Sequence, residues 1–284
     1  MADPGALGAY LRARREQVDP ATLGLPVTGT RRTPGLRREE VAALAGVSAD
    51  YYLRLEQGRD RNPSPAVLQA LARVLQLDET STDHLMSLVA ARPVRRRPAG
   101  ERVPDGILEL LRALSLPAFV ENRTFDVLAA NPLASALFPA VTVGANRLRA
   151  VFLDDRERAL HADWERAATT IVASFRASVG ARIDDPRAVR LVGELSLASE
   201  EFRRLWARHD VRPLAGGVTR LEHPQVGALT LRLRKLPLAD TDGQLLVIYH
   251  ADPETPSGAA LALLGSLSVT PDDQDTPQHG VRNG

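Results

Sequence analysis

The sequence predicts a multidomain chain, an all-α domain of five short helices followed by an α+β domain. Three observations lead there. Up to about residue 91 the apolar residues recur at helical spacing. The segment from Arg92 to Gly100 then holds two prolines, a glycine and four arginines, a composition that cannot enter a packed core and that disfavours helix on either side. Beyond it, Thr230, Arg232 and Arg234 alternate with Leu229, Leu231 and Leu233, the pattern of a half-buried strand. The boundaries that follow are 1–91 for the helical domain, 92–104 for a basic linker and 105–269 for the α+β domain. The tail, 270–284, is polar and rich in Pro, Gly and Asp, which predicts disorder. The linker arginines are either a solvated charge run or additional phosphate contacts.

The 284 residues suit one large or two ordinary domains, and 44% hydrophobic with 25% charged residues is a soluble globular composition. The net charge of +1 conceals an asymmetry. Residues 1–98 carry 15 arginines against 11 acidic residues, and residues 99–284 carry 21 basic against 24 acidic ones. A basic first third fits a polyanionic partner for that part alone. The sole lysine is Lys235, so arginine abundance reads as genome composition and not as function. The absence of cysteine excludes disulfides, thiol catalysis and Cys-based zinc sites. No run of eighteen apolar residues occurs, so no transmembrane helix or membrane partner is expected, and the opening MADPGALGAY lacks the pattern of a secretory signal. A cytoplasmic location is expected.

In the first domain, Leu7, Tyr10, Leu11 and Val18 form one apolar stripe; Val41, Leu44 and Ala45 form a second, and Tyr52 and Leu55 a third. Leu68, Leu71, Ala72 and Leu75 follow Ser64 as N-cap and Pro65 at the first helical position. Leu85, Leu88 and Val89 make the fifth stripe, entered through residues 80–83. The segment 36–58, LRREEVAALAGVSADYYLRLEQG, has the pattern of a helix-turn-helix. Ala42 is small where two helices must approach. Gly46 supplies the left-handed turn, Val47 plugs the corner, Ser48 caps the second helix and Gly58 closes it. Leu36 falls at the N-cap of the first helix, with Glu39 and Glu40 offsetting the missing cap through the helix dipole.

In the second domain, residues 118–120 and 125–129 predict strands around a turn at Asn122-Arg123, and Asn131 caps a short helix ending at Phe138. One long helix is expected from Asp154 to Val179, another from Asp184 to Leu195, and a third from Ser199 through Trp206. Strands follow at 218–221, 226–236 and 244–251, and Ser257 opens a final apolar helix through Leu264. The result is an antiparallel sheet with helices against it.

Residues 7–91 resemble the lambda-repressor-like, XRE-family DNA-binding domain, a five-helix unit. The forms PGLRREEVAALAGVSADYYLRLEQGR and PSPAVLQALARVL look like the actinobacterial branch that carries a MmyB-like C-terminal domain. The later segments FDVLAANPLASALF, DWERAA, LVGELSLASEEFRRLWARHDV, HPQVGALTL and ADPETPSGAALALL resemble that C-terminal domain. The resemblance implies a PAS-like ligand-binding domain for which a fatty acid is the precedent. It also implies double-stranded operator DNA as a partner and a small apolar ligand in place of a metal or organic cofactor. A homodimer is expected because one helix in one groove seldom gives enough specificity.

On that resemblance the recognition helix is Ser48 to Gln57, with Ala49, Asp50 and Arg54 facing base edges. Ser48 and Arg38 meet phosphate, Arg38 standing where the family usually has Gln. Arg54 is suited to fork onto guanine, and Ala49 offers only apolar contact, such as to a thymine methyl. Asp50 either stabilises its helix dipole or accepts from a cytosine. Tyr51 is expected to line the groove and Tyr52 to be core. Arg31, Arg32, Arg59 and Arg61 border the motif as phosphate contacts or solvated charges. The candidate ligand residues are Phe119, Leu128, Trp164, Phe175, Leu231, Leu233 and Tyr249, lining an apolar cavity between the sheet and the long helix. Trp164 and Trp206 are otherwise core. Arg176 either pairs with a ligand carboxylate or forms an internal salt bridge. His84, His161, His209, His223, His250 and His279 show no zinc spacing, and no nucleophile-elbow, P-loop or dinucleotide motif occurs, so no enzyme is expected.

Overall fold

The computed structural model describes residues 5–25, 35–60, 62–89, 101–180, 185–212 and 216–268. The expected linker from Arg92 to Gly100, the tail from Thr270, and Arg31, Arg32 and Arg61 lie outside these residues.

The N-terminal domain contains α1 (Ala6–Gln17), a 3-10 turn (Pro20–Leu23), α2 (Arg38–Ala45), α3 (Ala49–Glu56), α4 (Pro65–Val74) and α5 (Glu79–Ser87). Side-chain caps start three of these helices. Ser48 accepts from the Tyr51 amide, Ser64 from the Val67 amide, and Asp78 from the Ser81 amide. Asp78, not the Thr80–Asp83 stretch, therefore opens α5. The N-cap of α2 is Arg37 and not Leu36. Glu40 reaches back to accept from the Arg37 amide at 2.7 Å, while Leu36 is fully buried. Gly46 ends α2 at φ 69°, the left-handed conformation that glycine adopts without steric cost. Tyr10, Leu11, Leu36, Val41, Tyr52, Leu55, Leu71 and Leu85 make the core.

The C-terminal domain begins with α6 (Asp105–Ala113), β1 (Ala118–Glu121), β2 (Val127–Ala130) and α7 (Pro132–Leu137). Then come α8 (Arg147–Leu153), α9 (Asp155–Leu160), α10 (Trp164–Val179), α11 (Pro186–Ala198) and α12 (Glu200–Ala207). Strands β3 (Gly216–His223), β4 (Gly227–Pro237) and β5 (Leu245–His250) and helix α13 (Pro256–Ser268) complete it. The sheet is antiparallel in the order β2-β1-β5-β4-β3. The helix expected from Asp154 to Val179 is two helices. His161 leaves α9 in an extended conformation and bridges to Leu221 of β3, and Ala162 donates to the Arg220 carbonyl at 3.2 Å. Asp163 then caps α10 through the Arg166 amide. Tertiary pairing with the sheet edge overrides the helical periodicity of that stretch.

The inner face of the sheet carries Phe119, Val127, Leu229, Leu231, Val247 and Tyr249, packed on α7, α13 and Leu160 of α9. The outer face packs Ala118, Val120 and Leu246 against Val103 and Leu111. Helix α10 faces neither. It joins α8, α11 and α12 in a separate helical cluster with Phe125, Phe175, Leu195 and Phe202. The two domains meet through the turn after α12. Val211 is buried among the N-terminal core residues, Gln17 donates to the Arg208 carbonyl at 2.7 Å, and Arg14 pairs with Asp210 at 3.4 Å.

Candidate functional site

The second helix of the helix-turn-helix presents its N-terminal half to solvent. Ser48, Ala49, Asp50 and Arg54 are exposed and Tyr51 is half-buried, while Tyr52 and Leu55 are core. Asp50 and Arg54, one helical turn apart, form an ion pair, and the Arg54 guanidinium lies 5.7 Å from the Tyr51 ring centroid. Both readings of Asp50 therefore gain a third element, because its carboxylate orients Arg54. Arg59 is exposed beside the end of α3. Arg61 lies outside the described residues.

Arg38 is turned partly inward. Its Nε donates to Glu56 at 2.6 Å, and the other Glu56 oxygen accepts from Arg15 Nε at 2.6 Å. The Glu56 and Arg15 side chains are only 2% and 3% exposed, and Arg38 is 40% exposed. Arg15 also donates to the Leu36 carbonyl at 2.8 Å. One buried carboxylate thus ties α1, α2 and the end of α3 together. Gly8 of α1 sits so close to the Glu56 backbone that a Cβ there would stand 2.3 Å from its carbonyl oxygen. Glu56 was not singled out from the sequence, where it reads as one more acid on a solvated face.

The structure divides the eight candidate ligand residues. Phe119, Leu231, Leu233 and Tyr249 share the inner face of the sheet. Leu128 belongs to the cluster on the outer face. Trp164 and Phe175 lie in the helical cluster, where Trp164 Nε1 donates to the Val151 carbonyl at 2.9 Å. Arg176 is buried at the junction of the two domains. It donates to the Trp206 carbonyl, contacts His209 Nδ1 at 3.2 Å and stacks its guanidinium 3.7 Å from the Trp206 ring centroid.

The inner face of the sheet turns polar beyond Tyr249. Arg147, at the start of α8, lies against the rings of Phe119 and Phe138, with centroids at 5.0 and 5.5 Å. Burial alone lowers its pKa, but the neighbouring Tyr249, Glu121 and Glu157 outweigh burial and keep the guanidinium charged. Burial raises the pKa of the Tyr249 phenol, against the opposing pull of Arg147. Glu121 pairs with Lys235 at 2.6 Å, and the Lys235 ammonium stands 4.5 Å from the Phe125 ring centroid. Glu157 of α9 is buried with neither carboxylate oxygen hydrogen-bonded, and His161 Nε2 approaches it at 3.5 Å. Two cations, two carboxylates, a phenol and an imidazole thus occupy the domain interior. Sequence reasoning missed this group. Its one visible signal is that Glu121 and Lys235 interrupt the inward-facing apolar alternation of their strands.

No helix among the described residues is long and apolar enough to cross a membrane. A family model described as a helix-turn-helix domain matches residues 6–85. A second, described as the MmyB-like transcription regulator ligand binding domain, matches residues 103–264. Among solved structures the chain is similar to one described as an RNA-binding light-oxygen-voltage receptor, at 15% identity over 81% of this chain and 62% of that one. The chain therefore spans under two thirds of that structure's length, with a TM-score of 0.26. No curated protein matches.

Proposed function

This chain belongs to the family of MmyB-like transcription regulators, and from that premise we propose that it is a ligand-responsive, sequence-specific regulator that binds operator DNA as a homodimer in the cytoplasm. The observation that supports the reading best is the joining of two unlike surfaces in one chain. Helix α3 offers an exposed, arginine-bearing N-terminal half of the kind that enters a major groove. The PAS-like C-terminal domain holds charged groups in its interior, which a protein retains at a cost that a purely packing domain has no reason to bear. Arg147 and Tyr249 supply donors for the acidic or acceptor end of a small amphipathic ligand such as a fatty acid, and Phe119, Leu231 and Leu233 flank its apolar part.

Arg54 and Arg38 separate base reading from backbone contact. Arg54→Ala should cost about 1–3 kcal/mol on the specific site and much less on random DNA. Arg38→Ala should weaken all sequences alike and lower the magnitude of the log K against log salt slope by about 1. Fluorescence anisotropy on both DNAs across a salt series reads both. Equal losses for Arg54→Ala on the two DNAs would remove it from base readout.

A second reading makes the C-terminal domain a dimerisation module alone, and α13 favours a role of that kind. The helix contains no charged residue from Pro256 to Ser268, and Leu263 and Leu267, one turn apart, are 51% and 57% exposed. We place the homodimer contact on this face, because an uncharged helix that is apolar all round is normally covered. Leu263→Glu with Leu267→Glu should convert a dimer to a monomer in sedimentation velocity without lowering the melting temperature. A dimer that survives the double change would move the interface elsewhere. Ligand binding and this contact are compatible, and titrating straight-chain acids while following the melting temperature separates the sensor from the module.

A further inference from the structure

Glu157 and His161 are the buried polar pair that neither the fold nor the proposed acid-binding end accounts for. They lie one helical turn apart where α9 gives way to the bridge with β3. Their side chains are 1% and 8% exposed. Four of their polar atoms, both carboxylate oxygens and both ring nitrogens, make no hydrogen bond. A buried carboxylate without a donor is among the most costly groups a protein interior can hold. Asn131, by contrast, is buried with its amide donating to the carbonyls of Leu111, Leu114 and Leu116, and its carbonyl accepting from Ala118 and Ala134. Arg176 Nε and Gln244 Oε1 are the other buried polar atoms of the described C-terminal residues without a partner, but each belongs to a side chain with other hydrogen bonds, whereas Glu157 has neither oxygen and His161 neither nitrogen hydrogen-bonded. Of the charges nearby, Glu121 is paired with Lys235, and Arg147 attracts Glu157 through space without a hydrogen bond to it.

We infer that Glu157 and His161 form a second polar anchor for the proposed ligand, taking a hydrogen-bond-donating group, a hydroxyl or an amine, on a ligand whose acidic end lies on Arg147 and Tyr249. The inference rests on the ligand reading above and narrows it, from any apolar acid to one carrying a donor along or at the end of its chain. A carboxylate accepts and cannot donate, so a plain alkyl acid leaves Glu157 unsatisfied. A hydroxy or amino acid satisfies it and repays part of its burial. Sites built around a buried polar group discriminate against analogues that lack the matching donor far more sharply than apolar pockets discriminate by size.

The test uses the full-length protein and isothermal titration calorimetry. The probes are straight-chain acids from octanoic to octadecanoic, their 2-, 3- and terminally hydroxylated counterparts, and the methyl ethers of those hydroxy acids, which accept but cannot donate. At one chain length a hydroxylated acid should bind at least about tenfold more tightly than the plain acid, with the ether falling back to the plain acid's level. Glu157→Met should bring the ratio of hydroxylated to plain acid close to one while keeping affinity for the plain acid, and Glu157→Gln, which retains an acceptor, should preserve part of it. The wild-type comparison of alcohol with ether stands even where a variant does not fold. Equal binding of plain, hydroxylated and methoxy acids would overturn the second anchor and leave the ligand reading intact, as would discrimination that persists in Glu157→Met. No binding of any acid would overturn both.

Discussion

Glu56→Ala should destabilise the N-terminal domain by about 3–5 kcal/mol, the range for breaking a buried ion pair from one side. The change removes the only carboxylate that bonds Arg15 Nε, at 2.6 Å. Arg15 would keep its bond to the Leu36 carbonyl but be left with only the long 3.5 Å contact of its Nη2 to the part-exposed Glu16 as counter-ion. A domain of this size has only about 5–15 kcal/mol in hand, so the melting temperature should fall by upward of about 10 °C. Operator binding should fail with it, because the same carboxylate fixes Arg38 of α2 to the end of α3. Arg38→Ala is the internal control. Its side chain is 40% exposed, so its stability cost should stay within about 1 kcal/mol. Thermal melts followed by circular dichroism decide the matter. A loss for Glu56→Ala no larger than that for Arg38→Ala would mean that Arg15 finds another partner, and the carboxylate would not be the clasp of the motif.

The helix-turn-helix was legible because each of its determinants acts within a few residues. Gly46, Ser48, Ser64 and Pro65 act on their own turns, and the structure uses each of them as that local chemistry requires. The clasp behind the motif was not legible. Arg15 and Glu56 are 41 positions apart, and nothing at either position distinguishes a buried ion pair from two solvated charges. The N-cap of α2 was misplaced by one residue for a related reason. Leu36 belongs to the core, and the capping group is a glutamate three positions after Arg37.

In the C-terminal domain the alternation of Leu229, Leu231 and Leu233 correctly marked a strand with one buried face. Helices α6 and α8 carried no comparable expectation, and the break between α9 and α10 was hidden by continuous helical spacing. That break is made by β3, some sixty residues later in the chain. The interior polar group is the extreme case. Glu121, Arg147, Glu157, Lys235 and Tyr249 come from five separate elements. Each is unremarkable in its own segment, and only the antiparallel order β1-β5-β4 brings the strand members together. The division of the ligand candidates has the same origin. Trp164 and Phe175 of α10 were expected to face the sheet across a shared cavity, but they pack in the helical cluster instead, because the sequence does not state which helices face which layer.

Acid should weaken the docking of the two domains. Burial lowers the pKa of His84 to about 4, with Arg176 adding to the effect. Burial likewise lowers that of His209 to about 3, with Arg176, His84 and Arg14 acting in the same direction. These rings meet at one junction. Tyr10 of α1 packs edge-on against His84 of α5 and His209 of the α12 turn, at centroid distances of 5.1 and 6.5 Å. The other charged groups facing them are Asp210, paired with Arg14, and Asp78 beside the Tyr10 hydroxyl. Both folded pKa values lie below the ordinary 6.5, so the opened state binds protons first. Docking stability is complete above pH 6.5 and is lost as the pH falls from there toward 4 and then 3, by an amount on the order of several kcal/mol for the pair. His209 borders an open groove of about 450 Å³ between α1 and the end of α12, so water reaches the ring without unfolding of either core. Trp206 fluorescence, followed from pH 7.5 to 4.5, should report the loss of its stacked Arg176 before the helical circular dichroism signal falls. His209→Asn with His84→Gln should flatten that early transition, the asparagine being tolerated at the positive φ of 54° that position 209 adopts. Arg176→Met should flatten it too, because removing the cation raises both histidine pKa values toward 6.5. A wild-type transition in that window that is unchanged in both variants would assign the acid sensitivity to carboxylates elsewhere and leave the junction inert to pH.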